Sequence, residues 1–308
     1  MKCKIALWLI LIAQLGHTQT ELYTKTFGQK NHPAIIYLHG GPGYNSTSFE
    51  ATTAQKLADQ GIFVIVYDRR GEGRSDKVEA VYTFEETIAD IAQLYKQFEL
   101  ENATLIGHSF GGIVGTLFAE KHPERIDQLV LLAAPISLQV TFQTIIDSVE
   151  VIYKSKADSI NLQYVTMLRN MDRNTLEFSS YCFMHAMANG FYTPKNLTQE
   201  AQLLYKSYQQ SELGKYGQQM SYEAPQGFWE NEQYTSLDLT LKLKNLVQKG
   251  ISIYGIYGQE DGLYATEQIR KIGQIIGEEQ LFYWENCAHN PYIDQQEKFL
   301  KAMVTFEK

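Results

Sequence analysis

Short apolar runs alternate with longer stretches of helical periodicity through the first half of the chain, and the pattern returns near the end. The runs at 34–38, 62–67, 104–106, 129–133, 251–257 and 280–284 are rich in Val, Ile, Leu and Tyr. Continuous apolar runs of this length fit strands buried on both faces of a parallel sheet. Residues 22–27 read as a further strand near an edge. Strands separated by helical segments predict an α/β architecture with crossover helices.

The alternation stops after residue 133. From about 135 to 234 the chain is helical and aromatic, with its best helix candidates at 141–153 and 198–210. About a hundred helical residues between two strands of one sheet read as a cap, and the strands on either side of it should be neighbours. The resulting division is a core over 20–135 and 241–308, with a helical cap over 136–240. The cap aromatics Phe178, Tyr181, Phe183, Phe191, Tyr192, Phe228 and Trp229 read first as core packing.

The amino terminus has another character. Lys2 and Lys4 precede residues 5–15, where only Gln14 interrupts the apolar run, and Gly16-His17-Thr18-Gln19 follow. This is the layout of a secretory signal peptide over residues 1–19, and the run falls short of the roughly 20 residues that span a bilayer. The expectation is an exported protein, periplasmic or secreted, with no stable membrane insertion after cleavage. Export would permit a disulfide between Cys182 and Cys287, and two separate buried thiols are the alternative.

The chain has 308 residues, 44% of them apolar, and a formal net charge of -8. That is ordinary for a globular protein and argues against a nucleic-acid partner, whose phosphates demand clustered Lys and Arg.

The chemistry is concentrated in short motifs. Gly107-His108-Ser109-Phe110-Gly111 follows one apolar strand and precedes a helical stretch. This is the strand–turn–helix context of a nucleophile elbow, which lifts a serine hydroxyl to the end of a helix. A serine needs a base. Asp261, in Gly258-Gln259-Glu260-Asp261-Gly262, follows a strand and is the expected acid, with Glu260 as its competitor. His289, in Cys287-Ala288-His289-Asn290, follows the last strand and is the expected base. Acid then histidine after the serine is the α/β-hydrolase order. His39-Gly40-Gly41-Pro42-Gly43 also follows a strand, and Gly41 and Phe110 are the expected oxyanion-hole N–H donors.

His39–Gly43, Gly107–Gly112 and the loop Asp68-Arg69-Arg70-Gly71-Glu72-Gly73-Arg74-Ser75 together resemble the prolyl aminopeptidase (proline iminopeptidase) family of α/β-hydrolases, in which Gln usually stands at the place of Arg69. The resemblance covers about 22–135 and 240–300. It implies the α/β-hydrolase fold, and the expected architecture is a mostly parallel sheet flanked by helices, with a helical cap inserted after the sixth strand. It also implies a Ser-Asp-His triad carried by Ser109, Asp261 and His289, with no metal and no cofactor.

Two departures stand out. The chain ahead of His39 is short, so the first strand of the usual sheet is expected to be missing, and the cap does not follow the family's pattern. In the family, acidic cap residues hold the substrate's free amine. Glu177, Glu223, Glu230 and Glu232 are the candidates here, with Glu230 beside Trp229 preferred as the substrate-binding pair.

The expected function is therefore a serine aminopeptidase or amidase that releases an N-terminal residue from short peptides. A carboxylesterase or lactonase using the same triad is the alternative. A carboxylate nucleophile, as in epoxide hydrolases and dehalogenases, is disfavoured by Ser109. A non-catalytic binding protein is disfavoured because every triad position is filled.

Overall fold

The computed structural model describes residues 21–307; the expected signal peptide lies outside them. Seven strands form one sheet: β1 (Thr24–Phe27), β2 (Ala34–Leu38), β3 (Phe63–Tyr67), β4 (Ala103–His108), β5 (Ile126–Leu132), β6 (Ser252–Gly258) and β7 (Leu281–Trp284). Their spatial order is β1-β3-β2-β4-β5-β6-β7. All pairings are parallel except β1 with β3, which is antiparallel and places β1 at the edge.

Period-two geometry splits each central strand between two cores. Ile36 and Leu38 of β2 join Ile65, Leu105 and Leu131 on one face, whereas Ile35 and Tyr37 join Val64, Val66 and Ile106 on the other.

The longer helices follow in chain order. α1 (Phe84–Phe98) and α2 (Phe110–Lys121) flank β4; α1 is capped by Thr83, whose side chain accepts the Glu86 N–H, and ends at left-handed Glu99. Between β5 and β6 lie α3 (Leu138–Ser155), α4 (Ser159–Asn170), α5 (Leu176–Ala188), α6 (Gln199–Gln210), α7 (Glu212–Gly217), α8 (Glu223–Glu232) and α9 (Thr240–Gln248). α10 (Thr266–Ile276) precedes β7, and α11 (Gln296–Phe306) packs Phe299 and Met303 against the second face of the sheet.

The helical insertion leaves after β5, the fifth strand of this chain and not the expected sixth, because the described residues hold one strand, β1, ahead of β2. An isolated bridge between Ser137 and Asp238 brings its two ends together. β5 and β6 are parallel neighbours across it, so the insertion rises from one seam of the sheet. Phe142, Ile145 and Phe178 continue the first-face core into this layer.

Cys182 on α5 and Cys287 after β7 are both buried and both free, which decides for two separate thiols. No helix among the described residues is long and apolar enough to cross a membrane.

Candidate active site

Open α/β sheets bind ligands beyond the carboxyl ends of their strands. Five loops of interest meet at that end, following β2, β3, β4, β6 and β7. Ser109 directly follows β4 and opens α2. Its φ of 51° and ψ of -121° lie in a region that side chains with a Cβ rarely occupy. The strain is held by neighbours: its N–H donates to the Leu132 carbonyl, and its own carbonyl accepts the Gly112 N–H, both at 2.9 Å. Gly111 is fixed by space, because a methyl group there would sit 2.0 Å from the Leu38 carbonyl oxygen.

Asp261 and His289 are brought together. Asp261 Oδ2 and His289 Nδ1 lie 2.8 Å apart, and both residues are buried. A carboxylate only accepts, so Nδ1 carries the hydrogen and Nε2 is left with a free lone pair. The other Asp261 oxygen accepts the Leu263 N–H at 3.1 Å. Glu260 turns elsewhere and accepts the Lys195 N–H at 2.7 Å. The His289 ring is packed by Tyr192 and His108, each with its ring centroid at 5.1 Å.

A small pocket joins the remaining parts. Ser109, Gly41 and Phe110 line it together, with Ile113, Pro135, Leu138, Phe183 and Leu263 as its apolar wall. Every lining side chain is uncharged; Thr141, Tyr234 and Tyr264 supply the polar edges. The Tyr264 hydroxyl is committed to the Ala133 carbonyl at 2.8 Å. Tyr264 connects this wall to His289, ring to ring at 6.3 Å. Among the described residues no hydrogen bond joins Ser109 to His289; such contacts often tighten only around bound substrate.

As the first residue of α2, Phe110 has an N–H without an acceptor inside the helix. Gly41 has a φ of 119°, open to glycine alone. Both residues line the pocket beside Ser109.

The expected amine anchors are placed otherwise. Glu230 is exposed on α8 and accepts from Gln226 at 2.8 Å. Glu232 accepts the Phe84 N–H at 2.7 Å, and Glu177 and Glu223 are exposed. The Trp229 indole N–H donates to the Asn174 carbonyl. None of these residues lines the pocket at Ser109.

Two contributors escaped the sequence reading. Arg69 and Glu72 form a buried ion pair against the glycine-rich loop, with Nε–Oε1 and Nη2–Oε2 both 2.9 Å. His108, beside Ser109, bonds to the main chain of His289 at 2.8 Å. Glu72 inside a Gly- and Arg-rich loop was the visible signal, since an acid there has cations within reach. Among the described residues no group of three or more His, Cys, Asp or Glu side chains is placed to hold a metal ion.

Comparison with known proteins agrees with this layout. Residues 33–296 match the model of the alpha/beta hydrolase fold family. The chain is an α/β-hydrolase.

A proline iminopeptidase from Chitinophaga pinensis is 23% identical to this hydrolase over 294 residues, covering 94% of each chain. Proteins from Mycobacterium bovis and Mycobacterium tuberculosis are 39% identical over 102 residues, so the match spans only 29% of their length and 33% of this chain. Among solved structures, a proline iminopeptidase-related protein from Thermus thermophilus aligns with a TM-score of 0.66 at 20% identity, over 94% of this chain and 93% of the other. An esterase from Exiguobacterium antarcticum aligns with a TM-score of 0.63 at 19% identity, over 94% and 96%. At these identities the solved structures establish the hydrolase fold alone.

Proposed function

We propose that this hydrolase is a serine carboxylesterase for small, uncharged esters with an apolar acyl group. The observation that carries the reading is the uncharged, largely apolar pocket against Ser109. An apolar acyl group gains from burial there, whereas a cationic amine would lose its hydration with no carboxylate in the wall to replace it.

The mechanism follows from the groups at hand. His289 Nε2 takes the Ser109 proton as Oγ attacks the ester carbonyl carbon. The carbonyl oxygen gains the charge and is held by the Gly41 and Phe110 N–H groups. Asp261 keeps the imidazole tautomer and stabilises the imidazolium. His289 then returns the proton to the leaving alcohol, and the same steps with water release the acid from Ser109.

A second reading, aminopeptidase action of the proline iminopeptidase type, is supported by the match along 94% of the Chitinophaga relative. One pair of substrates separates the two. Cyclopentanecarboxylate and proline have nearly the same ring, but only proline carries the cationic amine. Their p-nitrophenyl esters share a leaving group. The esterase reading expects a higher kcat/KM for the cyclopentane ester; a preference for the prolyl ester reverses the order of the two readings. Export belongs to the proposal as well. Intact mass of the protein from its native host should lack roughly the first 16 to 20 residues, and a full-length mass would remove it.

A further inference from the structure

The Gly41 N–H and the Gly40 carbonyl belong to one planar peptide unit, so whatever grips the oxygen also aims the N–H. That oxygen is gripped twice. Arg69 Nη2 donates to it at 2.6 Å, and His39 Nδ1 lies 2.8 Å from it. The tautomer of His39 follows, because its Nε2 accepts the Arg69 main-chain N–H at 3.0 Å, leaving the hydrogen on Nδ1. Burial, with the Arg69 charge beside it, holds His39 well below the usual imidazole range, so that tautomer stays neutral.

The same guanidinium reaches further. Arg69 Nη1 donates to the His39 carbonyl at 2.5 Å. Its partner Glu72 accepts the Gly43 N–H at 2.7 Å. Residues 39–43 are thus clasped at both ends by one buried ion pair, 2% and 0% exposed. The guanidinium carbon of Arg69 lies over the Phe110 ring, 5.1 Å from its centre. Buried ion pairs are poor devices for stability, since removing two charges from water costs about as much as their attraction returns. This one supplies polar partners to a turn whose φ at Gly41 is strained for any other residue.

We propose that Arg69 is a positioning residue for the oxyanion site, one that orients and polarises the Gly40–Gly41 peptide so that the Gly41 N–H becomes a stronger donor. The reasoning rests on the reading of Ser109 as nucleophile and Gly41 as oxyanion donor. A cation on the carbonyl side draws electron density from the amide, and hydrogen bonds in such a chain strengthen one another. The benefit arises where charge develops on the substrate oxygen, so it belongs to the transition state.

The test compares Arg69→Gln, which keeps a donor without the charge, with Arg69→Met, which keeps neither. Removing a direct oxyanion donor costs about 100- to 1000-fold in kcat, so removing its polarising partner should cost roughly tenfold or more. Arg69→Met is expected to lower kcat by that factor with KM nearly unchanged, and to weaken a trifluoromethyl ketone inhibitor in parallel. Arg69→Gln should fall between it and the wild type. Should Arg69→Met fail to fold around an unpaired Glu72, the double variant Arg69→Met/Glu72→Met restores neutrality and should show the same loss. Unchanged inhibitor affinity in a folded variant overturns the proposal and leaves the Ser109 reading standing. A wild-type protein that neither reacts with a fluorophosphonate at Ser109 nor hydrolyses any ester overturns both.

Discussion

His108 donates a hydrogen bond from Nε2 to the main-chain carbonyl of His289 at 2.8 Å, tying the residue before Ser109 to the backbone of the loop after β7. The acceptor is a carbonyl, so Nε2 must carry the hydrogen. Burial, with the His289 imidazole next to it, pushes His108 down to about 3. It is therefore a neutral spacer across the working range and takes no part as an acid or base.

Replacing it separates alignment from stability. His108→Leu should lower kcat by about tenfold, the scale of a loosened catalytic geometry. An unfolded histidine takes up its proton near pH 6.5, whereas folded His108 waits until about 3. Between those values only the unfolded chain is protonated, so folding stability falls as pH drops below about 6.5. Urea midpoints at pH 7.5 and 4.5 should show that fall in the wild type and a smaller one in His108→Leu. An identical fall in both would show that His108 does not contribute.

The proposed triad makes a distinct claim about additivity. Ser109→Ala and His289→Ala should each reduce ester turnover by at least about a thousandfold, and the double variant should be little worse than either. Fluorophosphonate labelling, followed by mass spectrometry, should be lost in Ser109→Ala. A Ser109→Ala protein with wild-type turnover would end the assignment.

Glu230→Gln should change kcat/KM by less than about twofold on charged and neutral substrates alike, as for exposed side chains generally. Phe228 is buried on α8, and at about 100° per residue Glu230 points to the opposite side of that helix. A selective loss on prolyl esters would restore the expectation drawn from sequence and favour the aminopeptidase reading.

Asp294 offers a test in the opposite pH direction. Its carboxylate accepts the Ala288 N–H and the Tyr205 hydroxyl, both at 2.8 Å, and burial raises it to about 6. An unfolded aspartate ionises near 3.9. Between the two values the folded chain retains a proton that the unfolded chain has lost, so this group lowers stability as pH rises toward 6. Asp294→Asn keeps an accepting oxygen without the charge. It should gain on the wild type between pH 4 and pH 7.5 in chemical denaturation, and a constant gap would remove Asp294 from the pH response.

The sheet was legible, and so were the positions of Ser109, Asp261 and His289 at its strand ends, because both are written locally. Strands β2 and β3 are continuous apolar runs and β5 ends in one, while Ser109, Asp261 and His289 each stand within a few residues of a strand's end. The antiparallel direction of β1 was not legible: it has only four residues and no buried one, so nothing in its pattern distinguishes an edge strand of either sense. The Arg69 contact with Gly40 and the His108 contact with His289 span 29 and 181 residues, and no local pattern encodes them. The acids of the insertion misled for a related reason. Which way a helix turns its charged side depends on what its apolar side meets, and that partner is Tyr82 and Phe84, some 140 residues earlier in the chain.

The inserted helical layer is bonded to the loops that follow β2 and β7. The Ser221 N–H donates to the Gly43 carbonyl at 2.9 Å, and Tyr205 of α6 donates to Asp294, which holds the amide next to His289. On the proposed reading of Ser109 and Gly41, these bonds would link admission of substrate to the shape of the oxyanion loop. A guest that left the layer seated would meet that loop intact; one that propped it open would do so at the cost of those bonds. Discrimination of this kind would act on turnover more than on affinity, so a poor substrate would occupy the pocket and still be passed over.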